Sequence, residues 1–278
     1  LRMKNLLTRT LTGILFIGVV IFAVVKDSLI LFNVFFLFTL VGLSEYKNLL
    51  KIKNIHLGNQ FYILALVVYI TVGYTALWTN PMLKKALPYA LIAFLLLFSV
   101  IALFHKKEGT ALTYVAASLS GIIAIVIPFA LINHFNLIEK GNIGLIAVFI
   151  LIWAYDTFAY CIGSLIGKHP LFLRISPKKT WEGTVGAALC TLIASYFFVY
   201  LFPSLSSLYA INSLMWMGLA AVVIITGTLG DLIESMFKRE LGVKDSGYIL
   251  PGHGGVLDRF DSILFSIPFI LLYISIII

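Results

Sequence analysis

The chain has 278 residues, of which 61% are hydrophobic and 12% are charged, and its formal net charge is +8. Soluble domains carry roughly 25% charged residues, so this composition excludes a soluble enzyme, a disordered chain and a nucleic-acid-binding domain. The apolar runs at 11–25 and 263–278, with their flanks, are long enough to cross a hydrocarbon core of about 30 Å. The composition therefore predicts a polytopic helical membrane protein.

Hydropathy predicts about nine transmembrane helices in an all-α fold, because helices satisfy their own backbone hydrogen bonds inside lipid. The sequence has no alternation of polar and apolar residues over the length of a barrel strand. An odd number of spans places the two termini on opposite sides of the membrane. The predicted spans are 8–25, 28–44, 61–79, 87–104, 111–133, 143–165, 184–202, 213–230 and 261–278.

The basic residues predict the orientation of these helices. Sixteen of the 20 lysines and arginines fall in the N-terminal segment and in the loops that follow the second, fourth, sixth and eighth spans. The opposite side has only Lys26, Lys84, Lys85 and Lys140. Because Lys and Arg accumulate in cytoplasmic loops, we expect a cytoplasmic N-terminus and an external C-terminus.

The acidic residues divide the chain into two regions. Residues 1–150 have four acids, all at span ends or in loops, and we predict a scaffold of about five membrane helices there. Residues 151–278 hold the other eight acids and the two longest predicted cytoplasmic loops, which indicates a catalytic membrane region of about four spans. The four acids of the first region are Asp27, Glu45, Glu108 and Glu139.

The strongest chemical signal is the segment Gly230–Ser262, in which acids and bases surround a Pro-Gly-His-Gly-Gly turn. Asp231 and Glu234 are three residues apart, and Asp258 and Asp261 repeat that spacing where the last predicted span begins. Residues three apart share a helix face, so two carboxylate pairs at helix ends suit Mg²⁺. Glycines let backbone N–H groups approach phosphate oxygens. The alternative is a solvated loop in which the acids only pair with the bases.

Two further features lie next to predicted spans. In Ser176–Gly183, Lys178 and Lys179 precede the seventh span and would neutralise a polyphosphate, although positive-inside anchoring is an alternative interpretation. Asp156 lies in the last half of the sixth span. An acid at that depth is costly and marks either a functional residue or a polar contact between helices.

Residues 235–261 form one specific pattern, which reads Ser235-x-Phe237-Lys238-Arg239, then Lys244-Asp245, then His253-Gly254-Gly255-x-x-Asp258-Arg259-Phe260-Asp261. This pattern resembles the signature of the phosphatidate cytidylyltransferases, also called CDP-diacylglycerol synthases. The segment Ser176–Gly183 and the run Asp156–Tyr160 are also similar to segments of that family. The resemblance covers about residues 150–262, whereas the first half of the chain is similar in hydropathy alone.

This resemblance implies that CTP and phosphatidic acid react to give CDP-diacylglycerol and pyrophosphate. It implies Mg²⁺ as cofactor and leaves open whether a second metal ion binds. It also implies the lipid bilayer, and not nucleic acid, as a partner. We expect an integral protein of the bacterial inner membrane with its active site facing the cytoplasm. A homodimer is the default oligomeric state.

The resemblance also implies roles for particular residues. The expected catalytic residues are Asp231, Lys238, Arg239, Asp258, Arg259 and Asp261, with the three aspartates as metal ligands. The expected substrate-binding residues are Ser176, Lys178, Lys179, Thr180, Lys244, Asp245, His253, Gly254 and Gly255.

Two other functions compete with this interpretation. A CTP-dependent lipid-alcohol kinase would also need a nucleotide site at the membrane interface, but it would transfer the γ-phosphoryl group to a hydroxyl. A membrane transporter would need ionisable residues near the midplane, often on broken helices. Here the ionisable residues lie at predicted span ends, and only Asp156 is a candidate for a position deep in the membrane.

Overall fold

Helices make up most of the chain in the computed structural model, which describes residues 2–74, 88–89, 91–96, 100, 111–137, 141–201, 212–252 and 254–277. Two short strands, β1 (Pro170–Phe172) and β2 (Ser176–Thr180), form an antiparallel hairpin. The helices are α1 (Arg2–Lys26), α2 (Ser28–Lys51), α3 (Asn59–Tyr74), α4 (Ala111–Phe135), α5 (Gly141–Ile166), α6 (Trp181–Leu201), α7 (Ser213–Glu240) and α8 (Leu257–Ile277).

Within the described residues, five helices are long and apolar enough to cross a membrane, namely α2, α4, α5, α7 and α8. Thr10–Lys26 and Asn59–Tyr74 are shorter apolar helices. Half of the predicted span 87–104 and the last part, 75–79, of the predicted span 61–79 lie outside the described residues. Each predicted span other than 87–104 overlaps a described helix. The prediction of an all-α membrane protein is confirmed, with the β1–β2 hairpin as an element that hydropathy did not predict.

Local chemistry explains where the helices begin and where one of them changes its winding. Asp27 caps α2 by accepting a hydrogen bond from the Leu29 N–H at 2.5 Å. In α4, a π-helical turn precedes Pro128, which has no N–H to donate to the preceding turn. The same helix tightens to 3₁₀ form over Ile132–Leu137.

The chain packs as two units. Unit 1 consists of Leu1–Gly141 and Asp245–Arg259, and unit 2 consists of Asn142–Lys244 and Phe260–Ile278. The predicted division at residue 150 follows the distribution of acids, and the division by packing differs from it. The loop Asp245–Arg259, which the sequence assigns to the catalytic region, packs with the N-terminal helices.

Unit 1 is held together by aromatic side chains of α2, α3 and α4. Phe35, Phe61, Tyr69 and Phe129 are each fully buried. Lipid is as apolar as these side chains, so close packing rather than escape from water stabilises their association. This packed core supports the end of α2, from which Glu45 projects.

Unit 2 depends on close approach of its helices at small residues. A Cβ atom on Gly183 of α6 would lie 2.9 Å from the Ala159 carbonyl oxygen and 3.0 Å from the Gly163 Cα of α5. Tyr155, Ala187 and Ile224 form a buried cluster beside this crossing. Glycine therefore lets α5 and α6 meet almost backbone to backbone.

Candidate active site

The β1–β2 hairpin carries the predicted phosphate-binding lysines. Pro170 pairs with Thr180, and Phe172 pairs with Ser176. Successive side chains of a strand point to opposite faces, and accordingly Lys178 is exposed while Lys179 is half-buried. The adjacent lysines of β2 therefore have different surroundings.

The base of the hairpin is fixed by residues at the start of α6. Thr180 Oγ1 accepts a hydrogen bond from the Gly183 N–H at 3.2 Å, as an N-cap residue does. Glu182 bonds the His169 ring at 2.5 Å and the Lys168 N–H at 3.1 Å. The His169 bond, followed by the backbone bonds, lowers the pKa of Glu182 to about 2. These contacts fix the direction in which β2 leads into α6.

Lys179 forms an ion pair with Asp231 of α7, within unit 2. Its Nζ donates to Asp231 Oδ2, while Asp231 Oδ1 accepts a hydrogen bond from the Ser235 hydroxyl at 3.2 Å. The Lys179 and Asp231 side chains are 32% and 24% exposed, so solvent screens this pair less than it screens a surface pair. A predicted substrate-binding lysine and a predicted metal ligand are thus in direct contact.

Helices α7 and α8 approach each other beside this ion pair. A Cβ atom on Gly230 would lie 2.7 Å from the Asp261 carbonyl oxygen, a distance that only glycine permits. The Asp261 carboxyl group interacts electrostatically with those of Asp231, Glu234 and Asp156. We refer to Asp156, Asp231, Glu234 and Asp261 as the acidic cluster.

Two predicted catalytic cations lie at the end of α7. Lys238 is 9% exposed, and its Nζ donates to Glu234 Oε2 at 2.9 Å, one helical turn away. Arg239 is exposed and donates to two carbonyl oxygens of unit 2, that of Ile175 at 3.2 Å and that of Val243 at 3.4 Å. Lys238 therefore neutralises Glu234 of the acidic cluster, whereas Arg239 connects the hairpin turn to the end of α7.

The acidic cluster can be tested for its fit to a divalent cation. Among the residues that the structure describes, no three His, Cys, Asp or Glu side chains converge closely enough to hold a metal ion on their own. Carboxylate charges interact over distances much longer than the Mg²⁺–oxygen bond of about 2.0–2.1 Å. The electrostatic interaction among these acids therefore does not mean that they surround a metal ion by themselves. Mg²⁺ usually keeps several waters and binds one or two carboxylates together with substrate phosphates. The chemistry of Asp231 and Asp261 fits such a shared site.

The third predicted metal ligand, Asp258, belongs to unit 1. Its Oδ2 accepts hydrogen bonds from the Ser246 N–H at 2.8 Å, the Ser246 hydroxyl at 3.0 Å and the Gly255 N–H at 2.7 Å. Gly254 has φ of +85°, and a Cβ atom there would lie 2.5 Å from the same oxygen. The glycines of the motif thus allow the loop to fold around the Asp258 carboxylate.

The remaining predicted site residues are placed as follows. Lys244, at the end of unit 2, and Asp245 and Arg259, in unit 1, are exposed, and Ser176 is half-buried in β2. His253 lies outside the described residues.

A comparison with known proteins identifies the family. Residues 7–277 match the profile of the cytidylyltransferase family. The chain belongs to this family. The resemblance based on the motifs in residues 150–262 is therefore confirmed, and the family match extends through the N-terminal half as well.

Named relatives of this cytidylyltransferase-family chain come from staphylococci. The phosphatidate cytidylyltransferase of Staphylococcus saprophyticus is 35% identical over 263 residues, which cover 94% of this chain and 95% of the relative. The protein of the same name from Staphylococcus epidermidis is 34% identical over 263 residues. The protein of that name from Staphylococcus aureus is 32% identical over 260 residues. These last two alignments also cover 94% of this chain and 95% of the relative.

The structure adds two polar residues that sequence analysis did not assign to the site of this family member. The Tyr155 hydroxyl lies 2.7 Å from Thr228 Oγ1, and Tyr155 interacts electrostatically with Lys179 and Asp156. Its position directly before Asp156 is the one signal in the sequence that points to it. In unit 1, Glu45 is buried against the loop that leads into α8 and Asp258, and no local pattern indicates this contact.

Proposed function

We propose that the protein transfers the cytidylyl group of CTP to phosphatidic acid, giving CDP-diacylglycerol and pyrophosphate. The observation that carries this proposal is the alignment with relatives named phosphatidate cytidylyltransferase over 94% of the chain. The lysine–carboxylate pairs of unit 2 support it, because such lysines would supply counter-charge to bound phosphate groups.

In this reaction an oxygen of the lipid phosphate forms a bond to the α-phosphorus of CTP. The bond from that phosphorus to the oxygen bridging to the β-phosphate breaks, and pyrophosphate leaves. The lipid phosphate is already ionised at neutral pH, so no strong general base is required. The main obstacle is the approach of two polyanions, which favours catalysis by positioning and by charge neutralisation.

We propose that five cations divide the triphosphate and the lipid phosphate among them. Asp231, Asp258 and Asp261 would hold Mg²⁺, which when bound neutralises charge on the triphosphate. The assignment of Asp258 rests on the family motif, and that of Asp231 and Asp261 also on their common cluster in unit 2. Lys244, Asp245 and the turn at 253–255 would shape the nucleotide pocket. The five cations are Lys178, Lys179, Lys238, Arg239 and Arg259.

The ion pair of Lys179 with Asp231 suggests how the protein tolerates these charges when no substrate is bound. A partly buried lysine or carboxylate without a counter-charge is costly, and each neutralises the other in the free protein. A substrate phosphate offers Lys179 a second anionic partner on a flexible side chain. We propose that Lys179 turns from Asp231 toward a phosphate when CTP or phosphatidate binds.

We propose that the site faces the cytoplasm in a bacterial inner membrane. Phosphatidate cannot leave the bilayer and CTP cannot enter it, so a site at the cytoplasmic ends of helices is where both can meet. The distribution of basic residues supports a cytoplasmic N-terminus, and the about nine spans predicted from hydropathy would then place the C-terminus outside. A homodimer remains our expectation for the oligomeric state.

The proposal is tested with the purified chain in detergent, supplied with CTP, phosphatidate and MgCl₂. We expect CDP-diacylglycerol and pyrophosphate in equal amounts, measured by lipid mass spectrometry and an enzyme-coupled pyrophosphate assay, and we expect both to disappear with EDTA. In a parallel assay that supplies a lipid alcohol in place of phosphatidate, phosphorylation of that alcohol with release of CDP would instead support the kinase. Solute uptake by proteoliposomes without any lipid conversion would support the transporter.

A further inference from the structure

Glu45 is a buried acid in α2, far along the chain from the motif loop that it contacts. It is 3% exposed. Its Oε1 accepts a hydrogen bond from the Val256 N–H at 2.8 Å, and its Oε2 accepts one from the Leu257 N–H at 3.0 Å and one from the Ser246 hydroxyl at 3.0 Å. All of these residues belong to unit 1. One carboxylate therefore binds both ends of the loop that precedes α8.

These contacts compensate the cost of burying an acid. An ionised carboxylate only accepts hydrogen bonds, and here it meets three donors. The N–H groups at the start of a helix have no acceptor within the helix, and α8 begins at Leu257. Glu45 also lies at the end of α8 where the helix dipole favours negative charge. The carboxylate therefore acts as an N-cap supplied from α2.

The loop has glycines at the two positions where the carboxylate passes closest. A Cβ atom on Gly247 would lie 2.7 Å from Glu45 Oε1, and one on Gly255 would lie 2.5 Å from Glu45 Oε2. Real Cβ atoms do not approach that closely, so a larger residue at either position would displace the carboxylate. The loop is folded around Glu45 as well as around Asp258.

The contacts of Glu45 and Asp258 share one loop residue and use two consecutive backbone N–H groups. The Ser246 hydroxyl lies 3.0 Å from both Glu45 Oε2 and Asp258 Oδ2, and it has a single hydrogen to donate. Gly255, whose N–H donates to Asp258, directly precedes Val256, whose N–H donates to Glu45. Any displacement of Glu45 therefore moves donors that orient the Asp258 carboxylate.

We infer that Glu45 is a positioning residue, which fixes Ser246 and Gly255 so that the Asp258 carboxylate is held in one orientation. The inference deepens the proposed function and rests on it, because Asp258 is one of the carboxylates proposed to hold Mg²⁺. It assigns part of the active-site geometry to the N-terminal region, which the sequence indicates only as a scaffold. Groups that orient metal ligands typically change metal affinity or activity by about 10–100-fold when they are removed.

The variant Glu45→Gln tests this inference. Glutamine keeps the shape of the side chain but presents an NH₂ group to one set of donors, so Val256 or Leu257 loses its acceptor. We expect a kcat about 10–100-fold lower, a similar KM for CTP, and a higher Mg²⁺ concentration for half-maximal activity. In metal-free protein without substrate, the amides of Val256 and Leu257 should exchange with deuterium faster than in the wild type.

The control is Glu240→Gln, which makes the same change of charge at an exposed position at the end of α7. It should leave turnover, Mg²⁺ requirement and amide exchange at the wild-type level. If Glu45→Gln does not fold, Ser246→Ala replaces it, because that change removes only the shared hydroxyl. Ser246→Ala should lower kcat about fivefold and shift the Mg²⁺ requirement in the same direction.

Two outcomes separate this inference from the proposed function. If the wild-type protein forms no CDP-diacylglycerol, the proposed function is wrong, and so is the role of Glu45 in that reaction, whatever the exchange data give. If the wild-type protein is active but Glu45→Gln leaves both the Mg²⁺ requirement and the exchange of Val256 and Leu257 unchanged, the positioning role alone is overturned.

Discussion

Units 1 and 2 hold their buried carboxylates in different ways. In unit 1, Glu45 and Asp258 bind backbone N–H groups and the Ser246 hydroxyl. In unit 2, Asp231 and Glu234 bind the ammonium groups of Lys179 and Lys238. Glu45 and Asp258 are thus fixed mainly by the main chain, whereas Asp231 and Glu234 are neutralised by lysines.

This difference suggests a division of work. A backbone N–H cannot leave its carboxylate without refolding of the loop, so Glu45 and Asp258 have a fixed orientation. A lysine has four rotatable side-chain bonds and can exchange one anion for another. We therefore expect Asp231 and Glu234 to release their lysines to a phosphate.

The largest effect is expected from Asp258→Asn in unit 1. The substitution keeps the size of the side chain but removes its charge, and we expect turnover to fall by about 10³-fold or more while the protein still inserts and purifies normally. The measurement is kcat for CDP-diacylglycerol formation in detergent.

The matched control for this variant is Asp27→Asn at the N-cap of α2. Asparagine caps a helix as well as aspartate does, so this protein should retain nearly wild-type turnover. Near-normal activity of Asp258→Asn would remove the proposed metal role of that carboxylate.

The next effect tests whether the ion pair in unit 2 is exchangeable. Lys179→Met and Asp231→Asn should each lower kcat/KM by about 10²-fold, because both residues are proposed to contact substrate or metal. The kcat/KM of the double variant should be no higher than that of the less active single variant. The measurement is a double-mutant cycle on kcat/KM, with Lys51→Met at the end of α2 as a control for loss of positive charge.

The contrary result is a rescue. If the double variant regains activity over the single variants, the pair serves only to neutralise two buried charges, and the distinction between the fixed and the exchangeable carboxylates fails.

A smaller effect concerns the packing of the loop in unit 1. Gly255→Ala would place a Cβ atom 2.2 Å from Ser246 Oγ and should lower the free energy of unfolding by about 1–3 kcal/mol. Gly18→Ala in α1 meets no atom within 4 Å and should not destabilise the protein. Thermal unfolding in detergent compares the two variants, and equal melting temperatures would contradict a tightly folded loop.

The smallest expected effect is a pH dependence at the base of the hairpin. Because the pKa of Glu182 is lowered to about 2 in the folded protein, its contribution to stability is present above its ordinary pKa and is lost as the pH falls toward 2. Wild-type protein should therefore melt slightly above Glu182→Gln at pH 6, and the difference should vanish near pH 2. A difference independent of pH would show that the Glu182 charge does not stabilise the hairpin.

Local patterns in the sequence predicted much of the fold and part of the site. The span predicted at 143–165 corresponds to the helix Gly141–Ile166. Such a helix can be predicted because hydropathy depends only on residues that are close in the sequence. Lys238 pairs with Glu234 at a spacing of four residues, so the alternative of acids pairing with nearby bases describes part of unit 2. The pair of Lys179 with Asp231 joins the two motif segments but could not be derived from either one.

The contacts of Glu45 could not be predicted, for a physical reason. Its donors are 201 to 212 residues away in the sequence, and they are mainly backbone groups, which any residue type except proline supplies. The hairpin escaped prediction because Ser176–Thr180 is too polar and too short for the alternation that marks a strand. Both features depend on packing between segments rather than on local composition.

The fate of labelled CTP tests the proposed cytidylyl transfer most directly. Purified protein is incubated with phosphatidate, a lipid alcohol, Mg²⁺ and CTP that carries ³²P at either the α- or the γ-phosphate, and the lipid is extracted and counted. We expect the α-label to enter the lipid as CDP-diacylglycerol and the γ-label to be released as pyrophosphate. Transfer of the γ-label to lipid, with the α-label retained in CDP, would contradict the proposed transfer.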